Sequence, residues 1–179
     1  MISSPSSGTM WRKFLAIALI FYALALLQNS FLSHFSLLGS IPNLVFIFFF
    51  LLVFFNKTGS IYEMIFWAVL AGFFLDVFSY SYIGPNIILF LVVGYLSKET
   101  QLMLKNRNDK FPPGYFISLF LIFLVGYKIF ISLFLYCSGT ATSLEILSTN
   151  LLAGLFYNLI FAMAGFGIFR FIYAKKIQG

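Results

Sequence analysis

Charge is what this chain has least of. Only 9% of its residues are charged, against about 25% in an ordinary soluble domain. Cysteine occurs once, as Cys137, and histidine once, as His34. One cysteine excludes an internal disulfide. One cysteine with one histidine gives poor support to a transition-metal centre or to histidine-based catalysis. The sequence also lacks a nucleophile elbow, a His-Glu-x-x-His pair and a phosphate-cradling glycine loop. The expectation is a protein without cofactor or metal, and not an enzyme.

What fills the chain instead is apolar. Hydrophobic residues make up 61% and aromatic ones 21%, with 26 phenylalanines, and the mean hydropathy is +1.01. A domain of this size still leaves about 30% of its unfolded surface exposed, so so much apolar surface cannot be hidden in its own core. The missing solvent is lipid. The formal net charge of +6 would suggest nucleic acid in a soluble protein. Here the few basic residues flank apolar runs, which points to anionic headgroups and membrane orientation, not to nucleic acid.

A helix needs about 20 apolar residues to cross the hydrocarbon. Four runs reach that length: Phe14–Leu32, Ile61–Tyr80, Tyr115–Tyr136 and Leu151–Tyr173. Two are shorter, Leu44–Phe55 and Ile87–Leu96, and the second can lengthen through the amphipathic Ser97–Leu104. The first run follows a basic Arg12-Lys13 pair, yet no Ala-x-Ala site follows it, so it reads as a retained helix rather than a cleaved signal. Pro42, Asn56–Gly59, Gly84-Pro85-Asn86 and Asn106–Pro113 punctuate the runs. Continuous rather than alternating runs select helices over a barrel.

The predicted fold is an all-α bundle of six transmembrane helices, spanning about 14–33, 42–56, 61–80, 84–104, 113–136 and 149–173. Residues 10–176 form one domain behind a Ser-, Pro- and Gly-rich disordered tail over 1–9. With six spans, Arg12, Lys13, Lys57, Lys98, Lys105, Arg107, Lys110, Arg170, Lys175 and Lys176 all fall on one side. Both termini are therefore expected on the inner, cytoplasmic side of a cytoplasmic membrane. Four spans with two re-entrant segments is the competing arrangement, and only Lys57 then lies on the wrong side.

Two ionisable residues interrupt the hydrocarbon. Asp76 lies fifteen positions past Ile61, and Lys128 thirteen past Tyr115. At 1.5 Å per residue both reach roughly 20–23 Å into the membrane. Buried charges are costly and frequently functional, and the matched depth suggests an Asp76–Lys128 ion pair. Gln28, Asn29, Asn150 and Asn158 fall near the same depth and join them as a candidate polar cluster or partner-binding surface. Helix-to-helix hydrogen bonding is the plainer role for these amides, as is a snorkelling lysine for Lys128. An aspartyl centre needs two carboxylates sharing a proton, and only Asp76 is well inside a run. Lys98, Lys105, Arg107 and Lys110 form a candidate cytoplasmic contact for anionic lipid or an acidic partner, or else a topology anchor. His34 reads as a solvated loop residue.

The order of these features resembles a known family. Leu27-Gln28-Asn29-Ser30 is similar to the Leu-Gln-x-Ser that ends the first span of rod shape-determining MreD proteins. Pro42-Asn43-Leu44 resembles their Pro-Asp-Leu, with Asn43 departing from the usual acid. Gly59, then Gly72-Phe73-Phe74-Leu75-Asp76, resembles their Gly-Leu-Leu-x-Asp, and Gly84 and Gly94-Tyr95 continue the pattern. The resemblance covers Leu27 to about Lys98. It implies a non-enzymatic bacterial inner-membrane component of the cell-elongation machinery. Such a protein works with an MreC-like scaffold, an MreB-like filament and a RodA/transpeptidase wall synthase. The fold it implies is similar to the substrate-binding subunits of energy-coupling-factor vitamin transporters. That likeness keeps a second expectation open, a transporter subunit binding a small solute at the polar cluster.

Overall fold

Nearly every break marked in the sequence by proline, asparagine or glycine is a helix end. The computed structural model describes residues 7–36, 39–56, 60–78, 82–105, 113–139 and 151–178. Among them run six α-helices: α1 Ser7–Leu26, α2 Leu44–Phe55, α3 Ile61–Phe78, α4 Pro85–Lys105, α5 Pro113–Cys137 and α6 Leu151–Gln178. Beyond Leu26 the first helix widens into a π-helical turn, Leu27–Phe31, and then tightens into a 3-10 turn, Leu32–Phe35. Pro85 and Pro113 each open a helix, where a missing N–H costs nothing.

Four helical stretches are long and apolar enough to cross a membrane: Trp11–Phe35, Ile61–Phe78, Pro113–Cys137 and Leu151–Ile172. The chain is a multi-pass membrane protein. One expected boundary moves. The tail expected through residue 9 is shorter, because residues 7–9 already belong to α1; residues 1–6 lie outside the described residues. Of the two short runs, α4 reaches 21 residues by taking in the polar stretch from Ser97. By contrast α2 stays at 12 residues, about 18 Å long.

That short helix is the centre of the bundle. Nine of its twelve residues are buried, so it is enclosed by protein rather than lipid. Phe46, Phe50 and Phe54 meet Tyr127, Phe120 and Phe116 of α5 in that order, so the two helices run antiparallel. Phe46 and Phe49 both pack on Phe90 of α4. Phe48 and Phe55 lie against Phe169 of α6, and Phe54 against Phe166. Lipid tails are as apolar as these rings, so close packing and edge-to-face geometry carry the association, not water exclusion. Outward faces carry exposed Leu15, Leu19, Ile122, Leu133, Phe156 and Phe171, which suits contact with lipid.

Two further pairings fix the chain directions. Phe14 meets Phe66 and Tyr22 meets Phe74, so α1 and α3 are parallel. Gly72 faces Ile87 while Gly94 faces Met64, so α3 and α4 are antiparallel. One end of the bundle therefore holds Lys13, Asn56, Glu63 and Lys98, and the other holds Asn43, Asp76, Asn86 and Asn158.

At Gly72 the α3 backbone touches the α4 backbone. A Cβ there would stand 2.4 Å from Ile87 Cα and 2.5 Å from its nitrogen. Neither atom can rotate away, so the helices must part. Gly72→Ala is expected to cost about 1–3 kcal/mol, read as a lower unfolding temperature in detergent. Gly167→Ala, where a Cβ meets nothing within 4 Å, serves as the control and should leave that temperature unchanged.

Candidate functional site

The last turn of α3 carries Asp76, which is 2% exposed. Its carboxylate faces the first turn of α4. Gly84 N donates to Oδ2 at 2.7 Å. Asn86 donates twice to Oδ1, from its backbone N at 3.1 Å and its Nδ2 at 2.7 Å. Asp76 thus satisfies orphan donors of α4 and sets a negative charge at the positive end of that helix. Gly84 adopts φ +128°, a conformation that favours glycine, and this brings its N–H onto the carboxylate.

From Asp76 a chain of polar residues crosses the bundle. The Asn86 Nδ2 is engaged by Asp76, and its Oδ1 accepts from the Tyr127 hydroxyl of α5 at 2.9 Å. Tyr127 also lies against α2, with its ring on Phe46. Asn43 Oδ1, at the start of α2, accepts from Phe46 N at 2.9 Å. That contact with Phe46 N makes Asn43 the N-cap of α2. The Asn43 N–H in turn donates to Asn158 Oδ1 of α6 at 2.8 Å, and Asn158 Nδ2 donates to Gly154 O at 2.7 Å. Asp76, Asn86 and Tyr127 link α3, α4 and α5, and Asn43 and Asn158 link α2 and α6.

Beside this chain lies a partly open cavity of about 280 Å³. Its polar wall is Gln28, Asn29, Asn43, Asp76, Asn86 and Tyr127; its apolar wall includes Ile131, Phe134 and Leu135. Gln28 and Asn29 arrive on the π-helical turn, a feature frequent at functional sites. Asn29 Nδ2 donates back to Ala25 O at 3.0 Å. Gln28 Oε1 is buried and accepts from no donor among the described residues.

Of the residues singled out in the sequence, Gln28, Asn29 and Asp76 meet in one cavity, and Asn158 joins them through Asn43. Lys128 does not line it. Successive helical residues turn by about 100°, and Tyr127 takes the cavity side. The Lys128 Nζ turns toward α6 instead, 3.7 Å from where a Cβ on Gly154 would stand, close to Ser40. The ion pair expected with Asp76 is not among the contacts of the described residues. Equal depth set no azimuth, and backbone donors take the carboxylate. His34 is exposed, with Nδ1 at 2.9 Å from Ser30 O.

The opposite end is also polar. Lys13 Nζ lies 3.6 Å from Glu63 Oε1, Asn56 Nδ2 donates to Glu63 Oε2 at 3.0 Å, and the Glu63 charge acts on Lys98. Gln101 Nε2 donates to Val53 O at 3.2 Å, satisfying a carbonyl in the last turn of α2. Of the basic contact expected there, Lys98 is half-buried on α4 and Lys105 ends that helix. Arg107 and Lys110 lie outside the described residues, as does Asn150.

Sequence reasoning missed Asn86, Tyr127 and Gln101, and it read Asn43 as a departure from a motif rather than as a cap. The signals were present. An asparagine directly before an apolar run is an N-cap signature, and Pro85 at a helix start leaves Asn86 in the first turn. No protein-family model, curated protein or solved structure matches the chain. Among the described residues no three His, Cys, Asp or Glu side chains gather to hold a metal ion.

With Asp76 bound to backbone donors and Lys128 turned to α6, the two act independently. Asp76→Asn sets an amide N–H against a donor and is expected to cost about 1–3 kcal/mol. Unfolding in detergent of Asp76→Asn, Lys128→Met and the double variant should give a double loss equal to the sum of the singles. A double variant clearly less damaged than that sum would mean that the charges interact.

Proposed function

We propose that this chain is a non-enzymatic scaffold of the MreD type, serving bacterial cell elongation and peptidoglycan synthesis from the inner membrane. The observation that supports this reading is convergence. The three sequence stretches that resemble MreD proteins lie apart in the chain, yet Gln28 and Asn29 of the first, Asn43 of the second and Asp76 of the third line one cavity. Gly72 of the third stretch makes the backbone contact that holds α4 against α3. Residues spaced for one structural purpose in this way are what a shared architecture requires.

The proposed topology is six spans with both termini in the cytoplasm. It is supported by the chain directions, which put Lys13, Lys98 and Arg170 at the end opposite Asp76, as the positive-inside rule asks. Counted as a span, α2 crosses inside a sheath of protein. The scaffold would engage an MreC-like protein, and with it an MreB-like filament and a RodA/transpeptidase synthase, by helix packing with a few polar contacts in lipid. Its basic end would meet anionic headgroups. Asp76 is spent on capping, which favours a structural role over proton or acyl chemistry. The cavity favours a second reading, a subunit that binds a small solute for a transporter.

Mild-detergent extraction of the tagged protein from native membranes separates the two. Near-stoichiometric recovery of an MreC-like protein or of wall-synthesis enzymes is the outcome expected of the scaffold. Enrichment of an ATP-binding-cassette pair with a coupling membrane protein, and no wall-synthesis partner, would overturn it in favour of transport.

A further inference from the structure

We propose that Lys128 belongs to a binding site for a phosphate-bearing anion, placed between α5 and α6 at the end of the bundle that holds Asp76. The inference goes beyond the scaffold reading and does not rest on it. Lys128 is the one basic residue outside the set expected on the cytoplasmic side, so membrane orientation does not account for it. Its side chain is half-buried, and it forms no ion pair among the described residues. Of the described carboxylates, Glu63 and Glu99 stand at the opposite end of the bundle, and Asp76 is held by the start of α4. The Lys128 Nζ lies 3.7 Å from where a Cβ on Gly154 would stand, and Ser40 Oγ lies 2.8 Å from the same point. Ser40 is buried and neutral, so it cannot balance the charge.

Gly154 belongs to the opening turn of α6. A helix start carries partial positive charge, and cations are stabilised at the other end. The helix therefore adds to the field of the lysine instead of offsetting it. A cation without a counter-charge is costly inside a membrane protein, and a helix start beside it raises that cost. One phosphate lowers both, because its oxygens accept from the ammonium while its charge lies at the positive end of α6. The opening turn of a spanning helix is also where headgroups come within reach. On the same two helices Ile129, Leu133, Leu152 and Phe156 are exposed, which suits acyl chains and favours a phospholipid headgroup as the source. A soluble phosphate carries the same head chemistry without the chains.

The test uses the purified full chain in neutral detergent and reads Lys128 itself. Acylation of Lys128 by a water-soluble amine reagent is followed by mass spectrometry in the presence of phosphatidylglycerol, diacylglycerol of the same chains, or glycerol phosphate. The expected result is acylation several-fold slower with phosphatidylglycerol than with diacylglycerol. Basic residues at the opposite end also attract anionic lipid, so unfolding temperatures are compared in Lys128→Met and Lys128→Arg. A ligand that binds only the folded state raises that temperature. Phosphatidylglycerol should raise it by several degrees in the unmodified protein and in Lys128→Arg, and by clearly less in Lys128→Met. Protection by glycerol phosphate equal to that by the lipid would support the site and assign it to a soluble phosphate; protection by the lipid alone would assign it to a headgroup. Equal acylation with phosphatidylglycerol and diacylglycerol, or an equal temperature rise in the unmodified protein and Lys128→Met, would overturn the proposal. Acylation is read on the unmodified protein, so it decides the matter even where Lys128→Met fails to fold.

Discussion

A helix that ends inside a membrane protein must have its end groups satisfied by that protein. An α-helix leaves four N–H and four C=O groups without internal partners at its two ends, and hydrocarbon supplies none. Here the constraint falls on α2, which at 12 residues stops short of a bilayer's thickness at one or both ends. Its start is closed by Asn43 onto Phe46 and by Asn158 onto Asn43. At its finish Gln101 closes onto Val53. Removing those amides would strand backbone groups beneath the most tightly packed rings of the bundle. Much of the polar inventory of this charge-poor chain is committed to that problem.

The same logic shapes the cavity. Both α2 and α4 begin at its edge, and each start needs acceptors. Asn43 serves one and Asp76 the other, and Tyr127 stands between them, bonded to Asn86 and packed on Phe46. Polar groups gather there because two helices start there, and a concave polar surface follows from meeting their requirements together. The widened turn at Leu27–Phe31 adds Gln28 and Asn29 to the rim. Only the second of these closes on its own helix, at Ala25, which leaves the Gln28 oxygen as an acceptor in excess of what capping uses.

Much of the fold was legible because lipid simplifies the code. Long apolar runs closed by Pro85, Pro113 or Asn56 could be little other than helices. What could not be read was the surroundings of α2. A run such as Leu44–Phe55, apolar on every side, looks the same whether lipid or protein surrounds it; only the tertiary packing of Phe90, Phe116 and Phe166 decides. Asp76 stood out by its cost. Its partner was misassigned because sequence distance measures depth along a helix and is silent about the direction a side chain takes around it. Lys128 matched the depth, and Tyr127 one step earlier held the azimuth. Asn86 and Gln101 were hidden for a different reason, as their roles exist only toward a neighbouring helix end.

These interactions also bear on how much the bundle can move. A hydrogen bond between membrane helices is worth about 0.6 kcal/mol on average, so one alone would not hold a helix in place. Here the bonds share members. Withdrawing α6 uncovers the Asn43 N–H and with it the start of α2, and sliding α4 takes Gly84 and Asn86 off Asp76 together. Gly72 admits the α4 backbone at a separation that leaves no room for a side chain, so α3 and α4 are displaced as a unit or not at all. Access alternating between the two membrane faces would need several of these links to open at once, each exposing a backbone group without water to receive it. A socket of fixed shape, presented by a stiff bundle to a partner or a headgroup, asks for none of that. The arrangement is therefore better suited to holding than to carrying.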